Sequence, residues 1–249
     1  AHPILLAPVD DVLVFNTLKG MKRNKAPGPE GFNVEFYLHC WEIVGPLFCA
    51  AVRDFFVHSM LTRGANSTLI ALIPKHTAAD SMKDFRPISL CTMVYKCISK
   101  ILASRLKKIL PNLIDHAQSA FIPGRQISDN ILLAQELFRG YSRDTGTPKC
   151  ALKIDLHKAF DSIRWDFLFA ALDHMNFPPQ FVGWVRECVT TAMYSVKVNG
   201  SSCGYFKGAK GIRQGDPLSP YLFSIAMHVF SCILNNPPLI LSFIGDVRS

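Results

Sequence analysis

The sequence has no apolar run long enough to cross a bilayer. Its longest apolar stretch, residues 221–234, has only fourteen residues and contains His228 and two serines. The first residues also lack the charged segment and the long apolar segment of a signal peptide. These absences predict that the chain has no membrane partner and favour an intracellular protein.

Patterns for metals and organic cofactors are also missing. The eight cysteines include no pair with the spacing of a zinc knuckle or a redox motif, and the eight histidines form no ligand pair at helical spacing. The glycine- and proline-rich turn at 26–31 lacks the Gly-Lys-Ser/Thr ending of a P-loop. We therefore expect reduced, mostly buried cysteines and no small-molecule organic cofactor.

What the sequence does contain is enough apolar material for a core and an excess of positive charge. Hydrophobic residues make up 49% of the chain, and eighteen of them are phenylalanine, which argues against disorder. Lysine and arginine outnumber aspartate and glutamate by 27 to 19, and the pI is near 9.1. The basic surplus favours a polyanionic partner, nucleic acid before membrane.

Residues 150–165 combine an apolar run with a single well-placed carboxylate. The run ending at Ile154 predicts a short buried strand, and Ser162 is suited to begin the helix that follows. Asp155 would then lie where the strand ends, and a carboxylate there can hold Mg²⁺, which takes oxygen ligands. The alternative is that Asp155 is a solvated turn residue, since a strand-turn-helix pattern alone has no specificity.

Several basic residues have two open interpretations. Lys75 and Arg86 flank a strand-loop-strand pattern, where they would clamp a triphosphate or simply be surface charges. Gly124 lets the backbone approach a ligand closely, and Arg125 beside it is able to pair with phosphate. Lys25 would meet a phosphate backbone or lie in a solvated linker.

Periodicity predicts most of the secondary structure. The expected elements are a helix from Asp11 to Gly20, two helices in 33–60 broken at Gly45-Pro46, a strand at 68–74, a helix at 89–113, a helix from about Ser128, a helix from Pro179, a hairpin in 194–206 turning at Asn199-Gly200, and a helix from Tyr221.

Six segments of the chain, in this order, resemble the reverse transcriptase domain of non-LTR (LINE-type) retrotransposons, most of all the plant branch. They are Lys25–Phe32, Leu72–Lys75, Phe85–Leu90, Gln118–Arg125 with Asp129-Asn130, Ile154–Asp161 and Gly211–Pro220. One such segment has little specificity, whereas six in order are highly specific.

The resemblance implies an α+β fold with the fingers and a partial palm of the right-hand polymerase fold and without a thumb. Residues 1–66 would form an N-terminal helical extension and residues 67–149 a fingers-side region with template and primer motifs. Residues 150–249 would form a partial palm, incomplete at its C-terminal end.

The resemblance also implies an RNA-directed DNA polymerase in the nucleus. It would join dNTPs to a DNA primer on an RNA template, by two-metal nucleotidyl transfer with Mg²⁺. The implied roles are Asp155 as catalytic metal ligand, Phe160 as the aromatic that excludes a sugar 2′-hydroxyl, Lys75 and Arg86 on the triphosphate, Gln214 and Gly215 under the incoming nucleotide and template base, and Gly124 and Arg125 near template and primer.

The sequence departs from the family pattern at the second set of carboxylates. No Ala-Asp-Asp occurs in the 29 residues after Pro220, and the nearest candidate is Leu241–Val247. If that stretch is a decayed catalytic hairpin, Gly245 replaces one aspartate and Asp246 survives as a catalytic residue. Otherwise the chain stops or leaves frame before the hairpin. Either way a metal ligand is lost, so we expect an inactive chain.

Two alternatives to an inactive polymerase remain open. The chain is an active fragment completed by residues outside this sequence, or it is a non-catalytic remnant that still binds nucleic acid through its basic surface.

Overall fold

The computed structural model describes residues 2–139 and 153–235 of the chain. The helices in these ranges are α1 (His2–Leu5), α2 (Asp11–Lys19), α3 (Val34–His39), α4 (Trp41–His58), α5 (Met93–Leu113), α6 (Ile127–Phe138), α7 (Ala159–Ser162), α8 (Trp165–His174), α9 (Pro179–Thr190) and α10 (Ser219–Leu234). The strands are β1 (Ser67–Pro74), β2 (Phe85–Cys91), β3 (Met193–Val198) and β4 (Ser201–Lys207).

The four strands form one mixed sheet in the order β2-β1-β3-β4. β1 is antiparallel to β2 and parallel to β3, and β3 is antiparallel to β4. The long crossover from β2 to β3 contains the helices α5 to α9. Helices and strands therefore do not alternate regularly, and the predicted α+β class is confirmed.

The core is built around α5. Tyr95, Ile98, Leu102 and Leu106 on this helix are completely buried. Helices α1, α2 and α4 pack on it from the N-terminal part of the chain, and α9 and α10 from the C-terminal part. The N-terminal helices thus share a single hydrophobic cluster with the elements that carry the candidate site. Within the described ranges, no helix is both long and apolar enough to cross a membrane.

Local signals predicted several elements correctly. Asp10 accepts a hydrogen bond from the backbone N–H of Leu13 and begins α2, and Gly20 ends it. The hairpin β3–β4 turns at Asn199 and Gly200, whose φ angles of 47° and 84° are those of a type I′ turn.

The predicted break at Gly45-Pro46 is wrong. The chain breaks at Cys40, and α4 continues through Pro46. Pro46 has no N–H to donate to the carbonyl of Glu42 four residues earlier, and because both residues are exposed, solvent has access to that carbonyl. Gly45 is needed for a different reason, since a Cβ there would lie 2.7 Å from the Trp41 ring.

The predicted start of the long helix at Ser89 is also wrong. Ser89 belongs to β2, where it pairs with Ile70, and α5 begins after Thr92. The hydroxyl of Thr92 accepts a hydrogen bond from the N–H of Tyr95. Apolar periodicity near a helix start does not reveal that the preceding residues have a strand partner.

The strand predicted to end at Asp155 is not present in the described residues. Residues 151 and 152 lie outside the described ranges, and residues 153–156 form neither strand nor helix. Ile154 and Leu156 are 38% and 41% exposed. Ser162 ends α7 instead of beginning a longer helix, and α8 starts at Trp165. A strand needs a neighbour to pair with, and these residues have none in the described sheet.

Candidate functional site

The loop at residues 208–218 is bonded directly to the segment that follows Asp155. The N–H of Ile212 donates to the carbonyl of Phe160 at 2.9 Å, and the N–H of Gly211 donates to the carbonyl of Ile163 at 2.7 Å. Gly211 has φ +84°, and a Cβ there would lie 2.9 Å from the carbonyl oxygen of Asp161. Only glycine therefore fits this contact between two segments that are distant in sequence.

The same loop is bonded on its other side to β2. The N–H of Ser89 donates to the carbonyl of Gln214 at 2.8 Å. Gly215 has φ +101°, and a Cβ there would lie 3.3 Å from the carbonyl oxygen of Ser89. The loop thus links the sheet to the segment after Asp155.

A cleft of about 300 Å³ lies where these parts meet, at the lower end of the size range of small-molecule sites. Its lining includes Ile70 and Ser89 from the sheet, Asp161 from α7, Tyr194 from β3, and Lys210 and Gln214 from the loop. The lining thus combines apolar side chains with the carboxylate of Asp161, the ammonium group of Lys210, the amide of Gln214 and part of Arg213. Of the predicted site residues, Gln214 lies in the cleft.

Lys75 and Arg86 lie where the loop of the β1–β2 hairpin joins its two strands. The strand-loop-strand pattern predicted from the sequence is therefore present. Arg86 pairs with Ile73 in the sheet, so both side chains are on the same face. Lys75 is two residues after Ile73, and alternation along the strand places it on that face as well. The ammonium group of Lys75 donates to the carbonyl of Lys83 at 2.6 Å. Neither cation lines the cleft, and strand alternation places Arg86 on the face opposite to Ser89.

Phe160 is half-buried and held by a second ring. It stacks on Phe223 of α10, with ring centroids 4.9 Å apart and an interplanar angle of 9°. Its carbonyl also accepts a hydrogen bond from the N–H of Ile212. Both the backbone and the ring of Phe160 are therefore fixed beside the loop at residues 208–218, called the cleft loop below.

The carboxylates of the predicted metal site are not assembled in the described part of the chain. Asp155 is exposed, and no group of three or more histidine, cysteine, aspartate or glutamate side chains there is arranged to hold a metal ion. Asp246 lies outside the described residues. Two Mg²⁺ ions close together need several carboxylates, so the described donor set does not fit that group by itself.

Gly124 and Arg125 form a turn against the end of α5. Gly124 is exposed with φ +78°. The guanidinium of Arg125 donates to the carbonyls of Gln118 at 2.7 Å, Ile114 at 2.7 Å and Pro111 at 3.0 Å, and also to that of Asp115. These contacts occupy both terminal nitrogens and stabilise the carbonyl end of the helix. Contact between Arg125 and a template or primer stays a prediction.

The motif at residues 25–32 contributes a helix cap. Glu30 accepts a hydrogen bond from the N–H of Met93 at 2.5 Å, at the start of α5. Gly28 is buried against the carbonyl of Cys91, where a Cβ would clash. Lys25 is exposed. In the structure this turn therefore packs against the start of α5 and caps it, and the phosphate contact of Lys25 stays a prediction.

Sequence reasoning missed the most buried charged pair near the site. Arg213 and Asp216 have side chains only 4% exposed, and Nε of Arg213 lies 3.5 Å from Oδ2 of Asp216. Asp216 also accepts from the hydroxyl of Tyr95 at 2.5 Å, from the hydroxyl of Ser99 and from the N–H of Leu218 at 3.0 Å. Burial raises the pKa of Tyr95, which keeps its proton for this bond. The sequence signal that could have revealed this pair is the spacing of Arg213 and Asp216, opposite charges three residues apart in a segment flanked by Ile212 and Leu218.

Comparison with known proteins identifies the family of the chain. Residues 73–246 match the family model described as reverse transcriptase (RNA-dependent DNA polymerase). The transposon TX1 uncharacterized 149 kDa protein of Xenopus laevis is 35% identical over 87% of this chain and 16% of its own length. The retrovirus-related Pol polyprotein from type-2 retrotransposable element R2DM of Drosophila melanogaster is 32% identical over 82% of this chain and 19% of its own length.

A further relative extends the comparison to another insect element. The retrovirus-related Pol polyprotein from type-1 retrotransposable element R2 of Nasonia vitripennis is 28% identical over 82% of this chain and 19% of its own length. The chain spans less than a fifth of the length of these three relatives. It belongs to the reverse transcriptase family, as a domain of the non-LTR retrotransposon type.

Proposed function

We propose that the chain is the nucleotide-binding part of an RNA-directed DNA polymerase, and that the cleft beside Gln214 receives the incoming dNTP. One observation carries this proposal: the loop at residues 208–218 joins the backbone of Phe160 to that of Ser89, so three family motifs meet at one cleft. The RNA template and DNA primer are its macromolecular partners, and the nucleus is its compartment.

The finer architecture belongs to the same proposal. The β1–β2 hairpin with Lys75 and Arg86 belongs to the fingers-side region of residues 67–149, and the segment from Asp155 through α10, which includes β3 and β4, belongs to the partial palm of residues 150–249. The helices before residue 67 are the N-terminal extension. The contact of Lys75 and Arg86 with the triphosphate belongs to the proposal as well, as an assignment from the family motifs, since both residues lie outside the cleft.

We further propose that the chain does not catalyse synthesis as it stands. Asp155 is the one predicted metal ligand among the described residues, and it has no carboxylate cluster around it there. The family match reaches residue 246, which supports the interpretation of 241–247 as a decayed hairpin that retains Asp246.

A second function is favoured by the distribution of charge. Lys100, Lys107 and Lys108 are exposed on α5, and the chain carries a net charge of +8. Such a surface binds nucleic acid without any chemistry, so a non-catalytic nucleic-acid-binding protein is the alternative.

The proposed function is tested with poly(rA)/oligo(dT) as template and primer. In Mg²⁺ buffer we expect the protein to bind this duplex and then to bind dTTP, without extending the primer, and to bind dUTP more tightly than UTP, which differs from it only by the 2′-hydroxyl. Phe160→Ala should remove the preference for dUTP over UTP. Failure of dTTP to bind the complex would overturn the nucleotide site, and extension that disappears in Asp155→Ala would overturn the proposed inactivity.

A further inference from the structure

Arg213 is the side chain through which the cleft loop is fastened to the rest of the molecule. One terminal nitrogen donates to Oδ1 of Asn66 at 2.6 Å and to Oγ1 of Thr68 at 3.0 Å. The other donates to the carbonyl of Cys188 at 2.7 Å. The guanidinium therefore joins the loop to the beginning of β1 and to α9.

Two further contacts complete the surroundings of this guanidinium. Its Nε faces Asp216, within the loop itself, and its Cζ lies 3.8 Å from the centre of the Tyr95 ring on α5. Contacts from four separate parts of the chain meet at this one group. An ammonium group is a point charge and could not make this planar set of contacts together.

The two residues beside Arg213 line the cleft together with Arg213 itself, and their backbone bonds connect the loop to the two sides of the cleft. Ile212 is bonded to the backbone of Phe160, and Gln214 to the backbone of Ser89. Arg213 points into the core while its neighbours hold the two sides of the cleft. Any looseness at Arg213 will therefore change the distance between Phe160 and Gln214.

We propose that Arg213 is a positioning residue for the incoming nucleotide: its planar contacts with Asn66, Thr68 and the Cys188 carbonyl set the placement of Gln214 relative to Phe160. This inference rests on the proposed nucleotide site. It assigns to Arg213 an effect on nucleotide affinity that is separate from its effect on stability.

A second buried arginine provides a matched control. Arg105 on α5 donates to the carbonyls of Leu5 and Ala7 and lies over the rings of Phe56 and Trp184. It is as buried as Arg213 but contacts the N-terminal segment and does not line the cleft. Lysine in place of either arginine keeps the charge and loses the planar contacts.

The experiment compares Arg213→Lys, Arg105→Lys and the unaltered protein. For each we measure the midpoint of thermal unfolding, the Kd for poly(rA)/oligo(dT), and the Kd for dTTP on that complex in Mg²⁺ buffer. We expect both variants to melt earlier and to bind the duplex as before. Only Arg213→Lys should lose dTTP affinity, by about tenfold, since one or two hydrogen bonds are lost.

A milder variant covers the case in which Arg213→Lys does not fold. Thr68→Val keeps the shape of the side chain and removes one acceptor of Arg213, so it should weaken dTTP binding by a few-fold without affecting duplex binding. Unchanged dTTP affinity in a folded Arg213→Lys or in Thr68→Val would overturn the inference, as would an equal loss in Arg105→Lys. Absence of dTTP binding by the unaltered protein would overturn the proposed function and the positioning role with it.

Discussion

At the residue scale, two glycines with different surroundings test the contact between the cleft loop and α7. Gly211→Ala should destabilise the protein by about 2 kcal/mol, because alanine at φ +84° is strained and its Cβ would lie 2.9 Å from a backbone oxygen. Gly183→Ala is the matched control, since it lies inside α9 with open space around it, and it should stabilise by about 0.5–1 kcal/mol. Denaturant unfolding measures both, and equal effects would contradict the described contact.

Cysteine reactivity is a second property of single residues. Burial, with the negative charge of Asp11, raises the pKa of Cys49 to about 11, and burial raises that of Cys97 to about 12. A thiol with a pKa of 11 is ionised to about one part in a thousand at pH 8, and the thiolate is the reactive form. Alkylation at pH 8 followed by mass spectrometry should modify the exposed Cys203 and Cys232 first.

Raising the pH from 8 to 10 should increase the alkylation rate of Cys49, because a larger fraction of the thiol is ionised whether it is reached in the folded protein or through opening. Its folded pKa is raised, so the neutral thiol is the favoured form and ionisation at higher pH opposes folding. Labelling of Cys97 as fast as that of Cys203 in the native protein would contradict the buried position of α5.

At the scale of elements, the start of α5 depends on a residue far away in the sequence. Glu30→Ala removes the acceptor for the N–H of Met93 and should destabilise by about 1 kcal/mol, as loss of a helix cap does. Glu30→Gln keeps an oxygen acceptor, so its stability should lie between that of the unaltered protein and that of Glu30→Ala. Glu42→Ala in the first turn of α4 is an exposed control and should change stability by less than about 0.5 kcal/mol. A similar cost for Glu42→Ala and Glu30→Ala would show that the cap does not act as described.

The elements around Asp155 explain why the motif Ile154–Asp161 is present although the described residues do not assemble the predicted metal site. The loop at 208–218 and the sheet hold Phe160 and Ser89 in defined places through backbone bonds. Asp155 lies only a few residues from Phe160 but outside these bonds, in a segment whose apolar side chains are exposed. The contacts that place Phe160 and Ser89 are therefore separate from the segment that carries Asp155.

At the scale of the whole molecule, the net charge of +8 predicts salt-dependent binding to nucleic acid. Affinity for a single-stranded RNA oligonucleotide should fall by at least about tenfold between 50 and 200 mM salt, because phosphate neutralisation releases counterions. Asp155→Ala should leave this binding unchanged, since it needs no metal. Replacing Lys100, Lys107 and Lys108 by glutamate should weaken it and reduce the slope of affinity against salt. Fluorescence anisotropy measures each case, and salt-independent binding would contradict the electrostatic basis.

Much of the local structure was predictable because its causes lie within a few residues. Asp10 and Gly20 bound α2, and Asn199-Gly200 make a hairpin whatever surrounds them. The order of the six motifs was likewise readable in the sequence, and it was enough for the family. Helix caps and turns are stabilised by contacts within a few residues, so a short segment is enough to predict them.

The sequence by itself and the tertiary structure determined different features of this protein. The sequence alone determined the α+β class, the helix and hairpin signals and the family to which the chain belongs. The tertiary structure decided that Ser89 pairs in a sheet, that residues 153–156 do not, and that Arg213 and Asp216 are buried beside the cleft. Each of these depends on a partner far away in the sequence, because strand pairing and the burial of a charge are stable only when that partner is in place.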